Sequence, residues 1–311
     1  MSKLKTALRL IKTPLRLLLP LGRNGWLRWI PDQTYLKLIY RGETGQKLHL
    51  DNPVTFSEKI QWLKLHDRNP EYISLVDKYR MKAIAAERIG PEYVIPVLSV
   101  WEKAEDIDFS ALPDQFVLKC NHDSGGVVVC RDKNQIDQKK LVAFFQKHLQ
   151  HDAYIPGREW PYKNVKRVVF AEKLLENPAG GELIDYKFYC FHGEPVYCQV
   201  IKNRLTCETI DFYDHNWELQ PFTGLRFGVP HGEITAKPPH LDKMWDIARE
   251  FAKGTVFVRI DLYNCNGKIY FGEFTLYPKS GFGTFRPEEW NKRLGDQIVL
   301  STIEKRRKSK G

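Results

Sequence analysis

Residues 258–278, VRIDLYNCNGKIYFGEFTLYP, constrain the fold most, because two strand-like runs flank Asn-Cys-Asn-Gly and read as a β-hairpin. Side chains alternate between faces along a strand, so loop length decides which residues share a face. A three-residue loop, Cys265-Asn266-Gly267 with Gly267 left-handed, pairs residue 264 with 268. In that register Val258, Ile260, Leu262, Tyr270 and Phe274 form an apolar face directed at a core. Arg259, Asp261, Tyr263, Phe271, Glu273 and Thr275 form the other. Arg259 then lies opposite Glu273, with Asp261 diagonal to Glu273 at roughly 7 Å. Two carboxylates at that distance can share a metal ion. A two-residue Asn-Gly loop would instead separate them, and an ordinary surface Arg–Glu pair accounts for the same charges if the hairpin is only structural.

The distribution of charge narrows the function classes. A chain of 311 residues with 42% hydrophobic content can build one large domain or two to three smaller ones. The net charge of +10 suggests an anionic partner, but residues 1–30 hold seven Lys/Arg and no acid, and residues 301–311 hold five against Glu304. Removing these contributions, 7 and 4, leaves −1 for residues 31–300. The body is near neutral, which argues against a broad nucleic-acid-binding face.

In the basic N-terminus, Leu4, Leu8, Ile11, Leu15 and Leu18 repeat at helical spacing beside Lys5, Arg9, Lys12 and Arg16. The uninterrupted apolar run 17–21 contains Pro20 and is too short to span a bilayer, and no small-residue cleavage site follows. Either peripheral contact with an anionic membrane through residues 1–20 or docking on the chain's own domain fits this pattern. The six cysteines, at 120, 130, 190, 198, 207 and 265, include no Cys-x-x-Cys pair, so neither a zinc ribbon nor a disulfide framework is indicated. A reducing cytoplasm is the expected compartment.

Helices lead and mixed elements follow. Thr55 and Glu58 form a capping box for a helix carrying Phe56, Ile60, Leu63 and Leu65, and a second helix runs from about 77 to 89 before Gly90-Pro91. Strands and turns occupy 94–131, a helix 138–149, and strands about 165–175 and 183–201. A further helix buries Leu241, Met244, Trp245, Ala248 and Phe251, and a short one follows Pro287. The order points to an α+β fold with largely antiparallel sheets.

Two further stretches hold polar residues inside apolar strands. FVLKCNHDSGGVVVCRD, 116–132, is a hairpin with Lys119 on its first strand and a His122-Asp123-Ser124-Gly125-Gly126 turn. It lacks the P-loop and Rossmann spacings, yet its glycines permit close approach of phosphate oxygens and Lys119 supplies positive charge. A plain hairpin with a surface Lys is the alternative. From 168 to 204, Glu172 interrupts VVFAEKLL, and Asp185 and Lys187 share one face of a hairpin turning at His192-Gly193. Such buried charges need partners.

These pieces in this order resemble the ATP-grasp superfamily, and more closely its TupA-like branch, named for teichuronopeptide biosynthesis. The resemblance rests on NPVTFSEKIQWLK, DKYRMK, LPDQFVLKCNHDSGG, GREWPYKNVKRVVFAEKLL, DYKFYCFHG and RIDLYNCNGKIYFGEFTLYP. It implies an ATP-grasp fold, two α+β units with mainly antiparallel sheets clasping Mg-ATP, plus an N-terminal helical region. The implied division is a basic segment 1–30, an N-terminal domain 31–110, a lid subdomain 111–170 and a core subdomain 171–311 with a basic tail. The implied chemistry is phosphorylation of a carboxylate, followed by attack of an amine on the acyl phosphate. The implied substrates are a carboxylate-bearing sugar or polysaccharide precursor and an amine such as an amino acid.

The resemblance also implies roles. Lys119 holds the α/β-phosphates and Ser124, Gly125 and Gly126 close over the γ-phosphate. Glu172, Lys173 and Leu174 form the hinge beside the adenine, and Lys187 is a second phosphate contact. Asp261, Glu273 and Thr275 are the Mg²⁺ ligands, and Arg259 steadies the acyl-phosphate oxyanion. Mg²⁺ with Lys/Arg supplies the charge stabilisation that phosphoryl transfer requires. The chain departs from the family's Glu-x-Asn-x-x-Pro-Gly, reading Glu273-Phe-Thr275-Leu-Tyr-Pro278-Lys279. Thr275 is a poorer ligand than Asn, and Lys279-Ser280-Gly281 is a candidate contact for an anionic acceptor.

Competing readings are a sugar kinase using the same phosphate machinery, a glycosyltransferase using Asp106 and Asp108, and a non-catalytic assembly factor. Asp106-Ile-Asp108 reads more simply as a solvated acidic turn, and His148 with His151 as exposed histidines lacking a third zinc ligand. Arg158, Trp160, Tyr162 and Lys163 fit either a sugar pocket or ordinary packing plus surface charge.

Overall fold

The computed structural model describes residues 14–177, 180–204, 206–225, 231–301 and 303. Residues 1–13 of the amphipathic segment and most of the basic tail lie outside the described residues. Helices α1 (Leu18–Arg23), α2 (Asp32–Thr44), α3 (Phe56–His66), α4 (Tyr72–Val76) and α5 (Arg80–Ile89) come first. Strands β1 (Val97–Trp101), β2 (Phe116–Cys120) and β3 (Val127–Cys130) lead to helices α6 (Gln138–Gln150) and α7 (Tyr154–Gly157). Then come β4 (Val169–Lys173), β5 (Asp185–Phe191), β6 (Glu194–Lys202), β7 (Thr209–Tyr213) and β8 (Thr223–Gly224), followed by α8 (Leu241–Ala252). Strands β9 (Phe257–Cys265), β10 (Lys268–Thr275) and β11 (Phe285–Arg286), then α9 (Glu289–Asp296), complete the order.

Two antiparallel sheets organise these elements. The smaller has the order β1-β4-β2-β3, and the larger β10-β9-β5-β6-β7. The small sheet draws on residues 97–173, because β1 pairs with β4 and β4 pairs with β2. It therefore extends beyond the expected lid range 111–170 at both ends. One of its faces closes over a core that includes Phe116, Leu118, Phe145, Val169 and Ala171, with α6 as its cover.

The large sheet is covered on both sides, which is why every residue of β5 is buried. Phe188 and Ile260 face α8, where Trp245 meets Phe188 edge to face at 4.8 Å. The opposite face carries Lys187, Tyr189, Arg259 and Asp261 in adjacent register rows, Lys187 opposite Asp261 and Tyr189 opposite Arg259. Phe56 of α3 covers the far end of that face, 5.0 Å from Phe257 and 5.3 Å from Phe285. The expected capping box starts α3, with Thr55 and Glu58 bonding reciprocally.

The hairpin β9–β10 corrects the expected turn. Cys265 pairs with Lys268, so the loop is the two residues Asn266 and Gly267, both with positive φ, at 52° and 90°. That is the type I′ geometry that Asn-Gly favours in tight hairpins. The separation expected from such a loop is cancelled by a bulge. The register shifts between Phe271 and Glu273, Gly272 is the extra residue, and Glu273 pairs with Asp261. Arg259 consequently faces Thr275, not Glu273, while Phe271 joins the buried apolar residues and Tyr270 does not.

Candidate active site

Two clusters of charge form, one on each sheet. On the large sheet, β9 supplies Arg259 and Asp261, β10 supplies Glu273 and Thr275, and β5 supplies Lys187. The Arg259 guanidinium grips Asp261 with two bonds, Nε to Oδ1 at 2.6 Å and Nη2 to Oδ2 at 2.7 Å. Nη2 also donates to Glu273 Oε1 at 3.1 Å and to Thr275 Oγ1 at 3.2 Å. Lys187 donates to Asp261 Oδ2 from the neighbouring strand and lies 3.5 Å from Asp185, which also pairs with Arg204 at 2.7 Å.

Electrostatics separate the two carboxylates. Burial raises Asp261 above the ordinary carboxylate value, against the pull of Arg259 and Lys187. Burial opposes ionisation of Glu273 too, but there Lys78, Lys187 and Arg259 outweigh it and hold the group well below its usual range. Glu273 is therefore the more firmly ionised oxygen donor.

The small sheet contributes the second cluster. Glu172 on β4 is buried and held between two ammonium groups, Lys119 of β2 and Lys82 of α5, the latter at 2.7 Å. Burial would raise Glu172, but these lysines keep it below its ordinary value. Cross-strand register places Val127 opposite Lys119 and Val129 opposite Val117, whose other neighbour is Glu172. Both valines are exposed. Lysine and acid thus stand beside an open apolar surface suited to a flat base. Lys173 follows at the surface, its N–H donating to Pro96 O at 3.0 Å, and Leu174 begins the irregular run toward β5.

The glycine turn joins the clusters. Ser124 and Gly125 form its exposed tip. The Gly126 N–H donates to Asp123 Oδ1 at 2.7 Å, and a Cβ at Gly126 would lie 2.8 Å from that oxygen and 2.9 Å from Cys120 Cβ. Glycine is required there for close approach. Asp123 Oδ2 meets His148 Nδ1 at 2.6 Å, so His148 braces this turn and is not the exposed histidine expected from the sequence. Lys78 donates to the Asp123 carbonyl and shares a small cavity with Tyr162, Gly272 and Glu273.

Lys78 and Lys82 were not anticipated as site residues, although DKYRMK places one lysine just before α5 and the other in its first turn. The acidic triplet resolves differently. Asp106 and Asp108 are exposed, and Asp108 Oδ1 accepts the Ser110 and Ala111 N–H groups as a turn cap. Arg158 is 2% exposed and structural, stacked 4.1 Å from Tyr35 and donating to Leu27 O at 3.0 Å. Trp160 donates to Asp67 O, whereas Tyr162 does reach the cavity beside Glu273.

The residues fit a magnesium nucleotide. Among the described residues no group of three His, Cys, Asp or Glu side chains could hold a metal alone. Asp261, Glu273 and Thr275 offer hard oxygen donors, the incomplete set that suits Mg²⁺ sharing its shell with phosphates and water.

A family description, TupA-like ATPgrasp, matches residues 58–299. No curated protein sequence matches. Among solved structures, D-alanine–D-alanine ligase from Bacillus anthracis is 20% identical with a TM-score of 0.45, covering 76% of this chain and 70% of that one. The D-alanine–D-alanine ligase from Helicobacter pylori is 12% identical with a TM-score of 0.41, covering 78% and 68%. The ATP-grasp ligase PsnB, solved with a minimal precursor, Mg and ADP, is 13% identical with a TM-score of 0.40, covering 90% and 73%. The family match spans more than half of the sequence, and the chain belongs to the TupA-like ATP-grasp family, an ATP-dependent carboxylate–amine ligase family.

Proposed function

We propose that the protein activates a carboxylate as an acyl phosphate at the expense of ATP and joins it to an amine in cell-surface polysaccharide biosynthesis. One observation carries the reading: Lys187, Arg259, Asp261 and Glu273 converge on one face of the large sheet, with Glu172 and Lys119 on the small sheet. The polysaccharide setting rests on the likeness to the TupA-like branch. The substrates are a carboxylate-bearing sugar or polysaccharide precursor and an amine such as an amino acid.

In this reading Lys119 and Lys187 contact phosphates, Ser124, Gly125 and Gly126 cover the γ-phosphate, and Glu172, Lys173 and Leu174 border the adenine. Asp261 and Glu273, with the Thr275 hydroxyl beside them, would hold Mg²⁺, which would supply neutralisation of phosphate charge. A carboxylate oxygen attacks the γ-phosphorus and ADP departs. The amine then attacks the acyl carbon, loses a proton and displaces phosphate, while Arg259 stabilises the oxyanion that forms. In this reading the enzyme works in the cytoplasm, with basic residues 1–20 as a peripheral membrane contact, which the cationic amphipathic pattern of that segment supports. Among the described residues no helix is long and apolar enough to cross a membrane.

The test is a mass-spectrometric screen of Mg-ATP with pooled uronic-acid sugars and amino acids. Amine-dependent ADP release with an amide product is expected. A phosphorylated sugar formed without amine would make the protein a kinase, and failure of Mg-ATP to bind or stabilise it would remove the reading altogether.

A further inference from the structure

Residues 17–30 expose several large apolar side chains. Leu17 is 63% exposed, Leu21 38%, Trp26 72% and Trp29 78%. Their neighbours Leu19, Leu27 and Ile30 pack against the core, so the segment has an inner and an outer side.

The backbone aligns the outer side chains. Leu17 and Leu21 are four apart at the start of α1 and share a face. The helix ends with Gly25 at a φ of 79°, the Gly25 N–H donating to Gly22 O at 3.1 Å and the Trp26 N–H to Leu21 O at 3.0 Å. Those two bonds define a Schellman ending, which brings the residue after the glycine against the third residue from the helix end. Here these are Trp26 and Leu21. The chain continues in tight turns, Arg28 N–H to Gly25 O and Ile30 N–H to Leu27 O, and these turns carry both Trp26 and Trp29 outward while Leu27 and Ile30 pack inward.

The ridge is fixed to the enzyme. Arg158 donates to the carbonyls of Leu27, Arg28 and Ile30 at 3.0, 3.5 and 3.5 Å and lies 3.4 Å from Asp32. A buried guanidinium therefore holds the turn that carries the two tryptophans. The adjacent Gly157 accepts a bond from Lys64, and the same ammonium holds the Ser280 carbonyl, both at 2.7 Å, just past the Glu273 strand.

We propose that Leu17, Leu21, Trp26 and Trp29 form a preorganised ridge that docks on an anionic lipid bilayer. Residues 1–30 carry seven Lys/Arg and no acid, with Arg16, Arg23 and Arg28 interspersed among the ridge residues. A bilayer meets all three demands: apolar depth for leucine, an interfacial seat for indole, and negative charge for arginine. A second copy does not, because a two-fold contact through this patch would bring the basic residues of one copy against a basic patch on the other. The inference extends the membrane contact proposed for residues 1–20 to a built element of the fold. Its consequence for orienting the active site rests on the ligase reading, but the lipid binding does not.

The experiment is flotation of the full-length protein with vesicles of pure phosphatidylcholine or of phosphatidylcholine with phosphatidylglycerol, comparing wild type with Trp26→Ser/Trp29→Ser. Wild type should float with the anionic vesicles and not with the neutral ones, and the double variant should bind at least about tenfold more weakly. Brominated acyl chains should quench wild-type tryptophan emission and lose that effect in the variant, whose thermal unfolding should stay unchanged because both side chains are exposed. Absence of flotation, equal flotation of the variant, equal binding to neutral vesicles, or a solution dimer dissolved by the double substitution would each overturn the proposal. Flotation needs no turnover, so a failed ligase assay leaves this result standing.

Discussion

Glu273 stands directly across from Asp261, although the Asn266-Gly267 turn alone would offset them by one residue; the extra residue Gly272 restores the pairing. A bulge beside a site re-aims side chains while the rest of the ladder stays regular. Here it sets both carboxylates within reach of one guanidinium, that of Arg259.

Arg259→Lys tests that convergence. A lysine keeps the charge but cannot hold both Asp261 oxygens while also reaching Glu273 and Thr275. We expect kcat for amine-dependent ADP release to fall by about 10²–10³, the usual loss when one oxyanion-stabilising donor is removed. An undiminished kcat would show that the fork is structural only.

His148→Ala tests the brace on the glycine turn. Asp123 spends one oxygen on the Gly126 N–H and the other on His148. Losing the imidazole frees the carboxylate to swing and the turn to spread, which should raise the KM for ATP by about tenfold with a smaller effect on kcat. Steady-state ADP release at varied ATP measures both, and a KM equal to wild type counts against the brace.

Local signals in the sequence carried much of the fold. The Thr55/Glu58 box, the α8 stripe and the His192-Gly193 turn each depend on residues a few positions apart, and each appears as expected. The bulge at Gly272 was not legible, because loop length and bulge are set together by which side chains the sheet must bury. Arg158 reads as a surface cation until α2 and residues 27–30 enclose it. Helix α2 went unanticipated although Tyr35, Leu36, Ile39 and Tyr40 repeat at helical spacing and all are buried. The Val127 and Val129 surface beside Lys119 required the strand register, which the sequence of β2–β3 does not state.

Glu172→Gln probes acid stability. The native Glu172 lies below its ordinary value, so its ionised form stabilises the fold above the unfolded-state value near pH 4.3. That contribution disappears as pH falls through the lower native value. The glutamine variant leaves Lys82 and Lys119 uncompensated and should lose about 3 kcal/mol near pH 7, with the difference from wild type shrinking below about pH 4. Urea unfolding between pH 3 and pH 7 reads this directly. A constant difference across that range would mean that the carboxylate charge is not what holds the lysines.

Lys279 and Ser280 both adopt left-handed backbone, with φ of 49° and 52°, where the general family pattern has glycine at the first of these positions. A non-glycine residue there costs on the order of 1 kcal/mol. That cost is reasonable if the Lys279 side chain contacts an anionic acceptor. Lys279→Gly should therefore raise Tm by a few degrees while increasing the KM for the carboxylate substrate. Lys279→Ala should raise that KM without the gain in Tm, since alanine keeps the left-handed strain. Calorimetry and acceptor titration on both variants separate backbone from side chain, and an unchanged acceptor KM in the alanine variant would remove Lys279 from the acceptor site.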